Sequence, residues 1–143
     1  IIRKHPAERG ANFGRESDLE INESVENYLE AILMLKEKNG MVRSIDVVRL
    51  LNFSKPSISR AMSRLRENGY ITMDGEGWLE LTEKGYEIAA RIYERHQLFT
   101  QWLVALGVSP ETAREDSCRI EHDISEESFE KIKAHIEKYR QDQ

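Results

Sequence analysis

The 143-residue chain carries 21 lysines and arginines against 26 aspartates and glutamates, a formal net charge of −5, with 39% apolar and 33% charged residues. That composition belongs to a folded, helix-rich protein and excludes wholesale disorder. No run approaches the roughly 18 apolar residues of a membrane span, the opening residues 1–6 hold no signal-peptide core, and the single cysteine, Cys118, cannot form an intrachain disulfide, so a reducing cytoplasm is the expected location and no membrane partner is expected.

In chain order, residues 1–20 show no periodicity and read as a flexible arm or a remnant of expression. Ser24 is placed to cap a first helix whose stripe is Val25, Tyr28, Leu29, Ile32, Leu33 and Leu35, ended by Asn39-Gly40. Ser44 is placed to cap a second helix with Ile45, Val47, Val48, Leu50 and Leu51; Ser54 caps a third, with Pro56 in its first turn. There Ile58, Ala61, Met62 and Leu65 fall at i, i+3, i+4, i+7, a buried face. Tyr70–Met73 and Trp78–Leu81 flank Asp74-Gly75-Glu76-Gly77 and predict a hairpin. Thr82 opens a long helix to about Leu106, in which Gly85, Ala89, Ile92, His96, Phe99 and Leu103 make a seam at steps of four and three, suited to packing on another helix. Ser109-Pro110-Glu111 and Ser125-Glu126-Glu127 open two more helices.

Helix, short turn, helix and hairpin within about 60 residues is the order of a winged helix-turn-helix. Charge supports it. Arg43, Arg49, Lys55, Arg60, Arg64 and Arg66 stand against one acid, Asp46, a local net of +5 inside an acidic chain, whereas residues 109–143 carry six basic and ten acidic side chains, a net of −4. Arg43, Lys55, Ser57, Ser59, Arg60, Ser63 and Arg64 are the candidate DNA-contacting residues: small hydroxyls allow close approach to a groove, and arginines reach guanine edges or phosphates. Asp74 and Glu76 make the hairpin tip acidic, which argues against its use as a phosphate clamp. The plainer alternative is a three-helix bundle with a solvated basic face.

A second group suggests a metal. Cys118, Glu121 and His122 stand at i, i+3, i+4 on one helical face; Asn27 and Glu30 form an i, i+3 pair on the first helix; His96 lies on the seam. Each also has an ordinary reading: a core histidine, a small apolar cysteine, exposed glutamates. Because they lie on three helices, spacing alone does not make them converge.

The residues also resemble a family. Asp116–Ser125 is similar to the metal-binding signature of the metal-dependent repressors typified by the diphtheria toxin repressor and the manganese transport regulators; Arg95-His96-Gln97-Leu98, Val25–Ile32 and Leu81–Gly85 resemble three further segments of that family, over about residues 20–140 and in the right order. The resemblance implies a mainly α fold with a small β-hairpin, in which a winged helix-turn-helix DNA-binding domain (residues 21–82) precedes an all-helical dimerisation and metal-binding domain (residues 83–143), in a short form without the third domain of longer members. It implies a non-enzymatic homodimer on double-stranded operator DNA, Fe2+ or Mn2+ as corepressor (Co2+, Ni2+ or Zn2+ in vitro), no organic cofactor, and a metal site of Asn27, Glu30, His96, Cys118, Glu121 and His122. Cys118 matches the iron-type branch and Glu30 the manganese-type branch, while Asn27 departs from both. Arg114 and Thr100 stand where the ancillary site of the iron-type branch needs His and Glu, so that site is expected to be lost. The alternatives are a winged-helix regulator answering a small organic ligand or oxidation of Cys118, and, further off, a metal-dependent hydrolase, for which no nucleophile or phosphate-loop motif is found.

Overall fold

A computed structural model describes residues 21–141 as six helices and a two-stranded antiparallel sheet; the arm expected over residues 1–20 lies outside the described residues. The chain divides into two compact units, one up to Ala90 and one from Arg91 onward.

In the first unit, α1 spans Glu23–Asn39. Its cap is Asn22 rather than Ser24: Asn22 has extended backbone and its amide oxygen accepts the Val25 N–H at 3.2 Å, which starts the helix earlier and places Ser24 inside the first turn. Gly40, at φ +79°, closes the helix in the left-handed region and donates its N–H to Lys36 O. α2 spans Ser44–Leu51, and Ser44 is its first helical residue, not its cap. Arg43 takes the cap position and the Asp46 carboxylate reaches back to its N–H at 2.9 Å. Asn52, at φ +56°, turns the chain, and Ser54 caps α3 (Lys55–Glu67) by accepting the Ser57 N–H. Ile58, Met62 and Leu65 of α3 are buried with Leu29, Ile32, Val42 and Val47, so α1, α2 and α3 share one apolar core.

β1 (Ile71–Met73) and β2 (Leu79–Leu81) pair with Ile71 opposite Leu81 and Met73 opposite Leu79. Ile71 and Leu79 turn into the core, and the Leu79 N–H donates to Val42 O at 2.7 Å, which ties the hairpin to the α1–α2 connection. The acidic tip is explained by its own bonds. Asp74 Oδ1 accepts the N–H groups of Glu76 and Trp78, both at 2.9 Å, and Glu76 accepts the Trp78 indole N–H at 3.2 Å; both acids build the turn.

α4 (Glu83–Ala105) begins at Thr82, whose hydroxyl accepts the Gly85 N–H and donates to Gly69 O. The helix enters directly beneath the start of β1. A Cβ on Gly85 would stand 2.0 Å from Tyr70 O, so only glycine permits the approach.

The second unit holds the rest of α4 with α5 (Pro110–Asp123) and α6 (Glu126–Gln141), capped by Ser109 and Ser125. Ile92, Phe99, Ala113, Phe129 and Ile136 are buried, and the Phe99 and Phe129 rings meet at 5.9 Å between centroids. The seam, read from its spacing as suited to packing on another helix, is largely covered within the chain: Gly85 abuts Tyr70, Phe99 abuts Phe129, and of its six residues only Leu103 keeps partial exposure. A period of four and three marks a buried helix face without saying whose surface covers it. No helix among the described residues is long and apolar enough to cross a membrane.

Gly85→Ala is expected to destabilise the chain by at least ~2 kcal/mol through displacement of α4 from Tyr70; thermal unfolding measures this, and a wild-type midpoint would show the close approach to be dispensable.

Candidate metal centre and nucleic-acid face

α3 presents opposite characters on its two sides. Against the buried stripe, Lys55, Ser59 and Arg60 are exposed, and Ser57, Ser63 and Arg64 are half-buried at the margins, Ser57 Oγ accepting from Ser54 at 2.8 Å. These candidate DNA-contacting residues share one helix because the apolar positions fall at helical spacing and leave the remaining arc polar. Arg43 is exposed at the start of α2, where its guanidinium lies 3.9 Å above the centre of the Trp78 indole, linking α2 to the wing. The spacing places Trp78 in the hairpin but carries no sign of its stacking with Arg43.

The candidate ligands fall in both units. Asn27 and Glu30 lie one turn apart on α1 of the first, Glu30 buried and Asn27 half-buried. In the second, His96 of α4 meets Cys118 and Glu121 of α5, and one donor atom from each lies within 4.8 Å of the other two. His96 Nδ1 is 2.8 Å from Glu121 Oε2 and 3.7 Å from Cys118 Sγ. His122 packs beside them, its Nε2 3.4 Å from Glu121 Oε1. The i, i+3, i+4 spacing on α5 brings the thiol, carboxylate and second imidazole toward one place, and the seam position of His96 supplies the opposing side.

Burial separates this cluster from an ordinary surface group. Glu121, expected to be exposed on residue type alone, is fully buried, while Cys118 is exposed. Glu121 Oε1 accepts no hydrogen bond. A carboxylate oxygen removed from water without a donor is costly, and a cation is the natural partner for it. The donor set is also right in kind: thiolate, imidazole and carboxylate bind divalent transition ions at roughly 2.0–2.3 Å, which places ligands around one ion at separations like those seen between these atoms. Hydrogen bonds to Cys118 and then Glu121 outweigh the desolvation of His96 and raise its pKa to about 10, so the cluster favours a positive charge at this point. A divalent ion bound there would compete with protonation of His96.

Arg95, adjacent to His96, is also buried. Residue type gave no hint of this; its place one turn beyond Ile92, next to a seam histidine, was the available signal.

Because Cys118 is exposed and touches His96, its thiol should react readily with a thiol reagent such as 5,5′-dithiobis(2-nitrobenzoate) in metal-free protein, and saturating Zn2+ or Co2+ should slow the reaction at least about ten-fold. Equal rates with and without the ion would place the sulfur outside any metal site.

Comparison with known proteins bears on both regions. Residues 20–77 match the family model of the iron dependent repressor N-terminal DNA binding domain, and residues 82–143 match that of the iron dependent repressor metal binding and dimerisation domain. The chain is 34% identical over 122 residues to an uncharacterised HTH-type transcriptional regulator of Methanocaldococcus jannaschii, covering 84% of this chain and 98% of that protein. It is 34% identical over 117 residues to the transcriptional regulator MntR of Escherichia coli O157:H7 (82% and 76% covered), and 32% identical over 119 residues to the HTH-type transcriptional regulator MntR of Bacillus subtilis (83% and 84%). Among solved structures, the manganese regulator SloR aligns with a TM-score of 0.69 at 22% identity, covering 83% of this chain and 55% of SloR, and the IdeR of T. acidophilum with 0.66 at 24%, covering 80% and 53%. At those identities the structural likeness speaks for the fold.

Proposed function

The chain belongs to the iron-dependent repressor family of metal-dependent transcriptional regulators, and from that premise we propose that it is a homodimeric, non-enzymatic repressor that binds operator DNA when Fe2+ or Mn2+ is present. The observation that carries this reading is the meeting of His96 and Cys118 with the fully buried Glu121 carboxylate, whose Oε2 lies 2.8 Å from His96 Nδ1 while its Oε1 accepts no hydrogen bond.

In this reading His96, Cys118, Glu121 and His122 hold the ion, and Asn27 and Glu30 of α1 supply further ligands, as the family resemblance assigns them. Bound there, the cation supplies the charge that holds these side chains to one arrangement. The DNA-competent arrangement has the higher affinity for the ion, so the population shifts toward it, and DNA in turn tightens metal binding by the same factor. Two recognition helices of a dimer must stand about 34 Å apart to enter successive major grooves, which makes their mutual placement the quantity worth controlling. Arg60 and Lys55 then contact phosphates or base edges, the serines allow close approach, and Arg43 reaches the backbone from the start of α2. The protein would work in the cytoplasm, and uptake genes for the sensed metal are the proposed targets. The thiolate of Cys118 favours Fe2+, whereas the relatives named MntR favour Mn2+. A second reading draws on the exposure of Cys118: a regulator silenced by oxidation of its thiol, whose DNA binding would be indifferent to chelators.

Glu121→Ala and His122→Ala are each expected to abolish metal-dependent DNA binding in gel-shift titrations with Mn2+, Fe2+, Co2+ and Zn2+ under anaerobic conditions, with the dimer retained; unchanged metal dependence in both variants would refute the site. Arg60→Ala should weaken operator binding about ten-fold and lower the salt slope by about one. Wild-type affinity and slope would remove Arg60 from the interface.

A further inference from the structure

Two neighbouring residues of α4 take hold of the same residue of α5 in different ways. His96 meets the Glu121 carboxylate at 2.8 Å, and Arg95 binds its backbone, Nη1 donating to Glu121 O at 3.1 Å. The same nitrogen donates to Ile124 O at 2.8 Å, and Nη2 pairs with Glu126 Oε2 at 2.8 Å. The guanidinium stands 5.1 Å from the centre of the Phe129 ring, and the Arg95 side chain is only 6% exposed. Glu121 lies in the last turn of α5, Ile124 is its C-cap, and Glu126 is the first residue of α6. Carbonyls at a helix C-terminus lack intrahelical donors and carry the negative end of the helix dipole, so a buried planar cation there is well placed.

We propose that Arg95 is a positioning residue for the cation site: by clamping the α5–α6 corner it sets the register of α5 against α4, and so places Cys118, Glu121 and His122 opposite His96. A slip of α5 by one residue would rotate Cys118 and Glu121 by about 100° away from His96. Lysine cannot replace Arg95, since a single ammonium cannot span two carbonyls and a carboxylate with the geometry of the fork. The proposal rests on the reading of His96, Cys118 and Glu121 as ligands. It differs from a purely electrostatic role in sign. Removing a positive charge near a cation site would by itself tighten cation binding, whereas losing the clamp weakens it.

The test is Co2+ titration of the full-length metal-free chain, read by the thiolate-to-cobalt charge-transfer band and the visible d–d bands, on wild type, Arg95→Met, Arg95→Lys, Glu126→Gln and Cys118→Ser. Circular dichroism of the metal-free proteins reports the fold. The expected result is a ten-fold or greater loss of Co2+ affinity in both Arg95 variants, with altered d–d bands at saturation, unchanged helix content and a smaller loss in Glu126→Gln. Wild-type affinity and spectra, or tighter binding, in a folded Arg95→Met would overturn the proposal. Should Arg95→Met fail to fold, Glu126→Gln decides, and wild-type affinity and bands in that variant would overturn it equally. Absence of a charge-transfer band from wild type, or its persistence in Cys118→Ser, would instead overturn the ligand assignment on which the clamp depends.

Discussion

A buried carboxylate is the constraint around which the second unit is arranged. Glu121 is fully buried; its Oε2 faces His96 Nδ1 at 2.8 Å, and its Oε1 accepts no hydrogen bond although His122 Nε2 stands 3.4 Å away. A sequence selected for stability alone would replace such a group with a leucine. Retaining it makes sense where the carboxylate serves a positive partner, and the hydrogen bonds of His96 to Cys118 and Glu121, which raise its pKa, favour the charged imidazolium in the same way.

The surroundings hold this arrangement rather than relax it. Phe99 and Phe129 pack α4 on α6, Ser117 donates back to Ala113 O within α5, and the Arg95 guanidinium joins the end of α5 to the start of α6. The donors thus sit on rigid helices and not on loops, as a site requires if an ion is to select one arrangement over another. In the first unit the same economy appears in the wing. Its acids make the turn, Trp78 lies under Arg43, and the basic arc of α3 is left to face outward.

Much of the fold was readable in advance because it is written in local signals. Periodic apolar positions placed all six helices, Asp-Gly-Glu-Gly placed the hairpin, and Ser54, Thr82, Ser109 and Ser125 act as the caps their positions suggested. Two caps were misplaced. Asn22 and the Arg43–Asp46 pair outcompete Ser24 and Ser44, since the choice depends on which side chain meets the first free N–H once the preceding backbone has its direction. The seam on α4 was legible as a buried face but not as to its occupant, because the period records only that a face is covered.

What the sequence by itself determined is local and chemical: which segments are helical, which faces are apolar, which arc of α3 is basic, and that Cys118, Glu121 and His122 share one side of a helix, since these follow from spacing along a chain of known pitch. What only the tertiary structure decided is the meeting of His96 with that side, the burial of Glu121, and the grip of Arg95 on a backbone carbonyl 26 residues away. Such contacts depend on the angle and register at which helices pack, quantities set by the whole core at once and carried by no single stretch of residues.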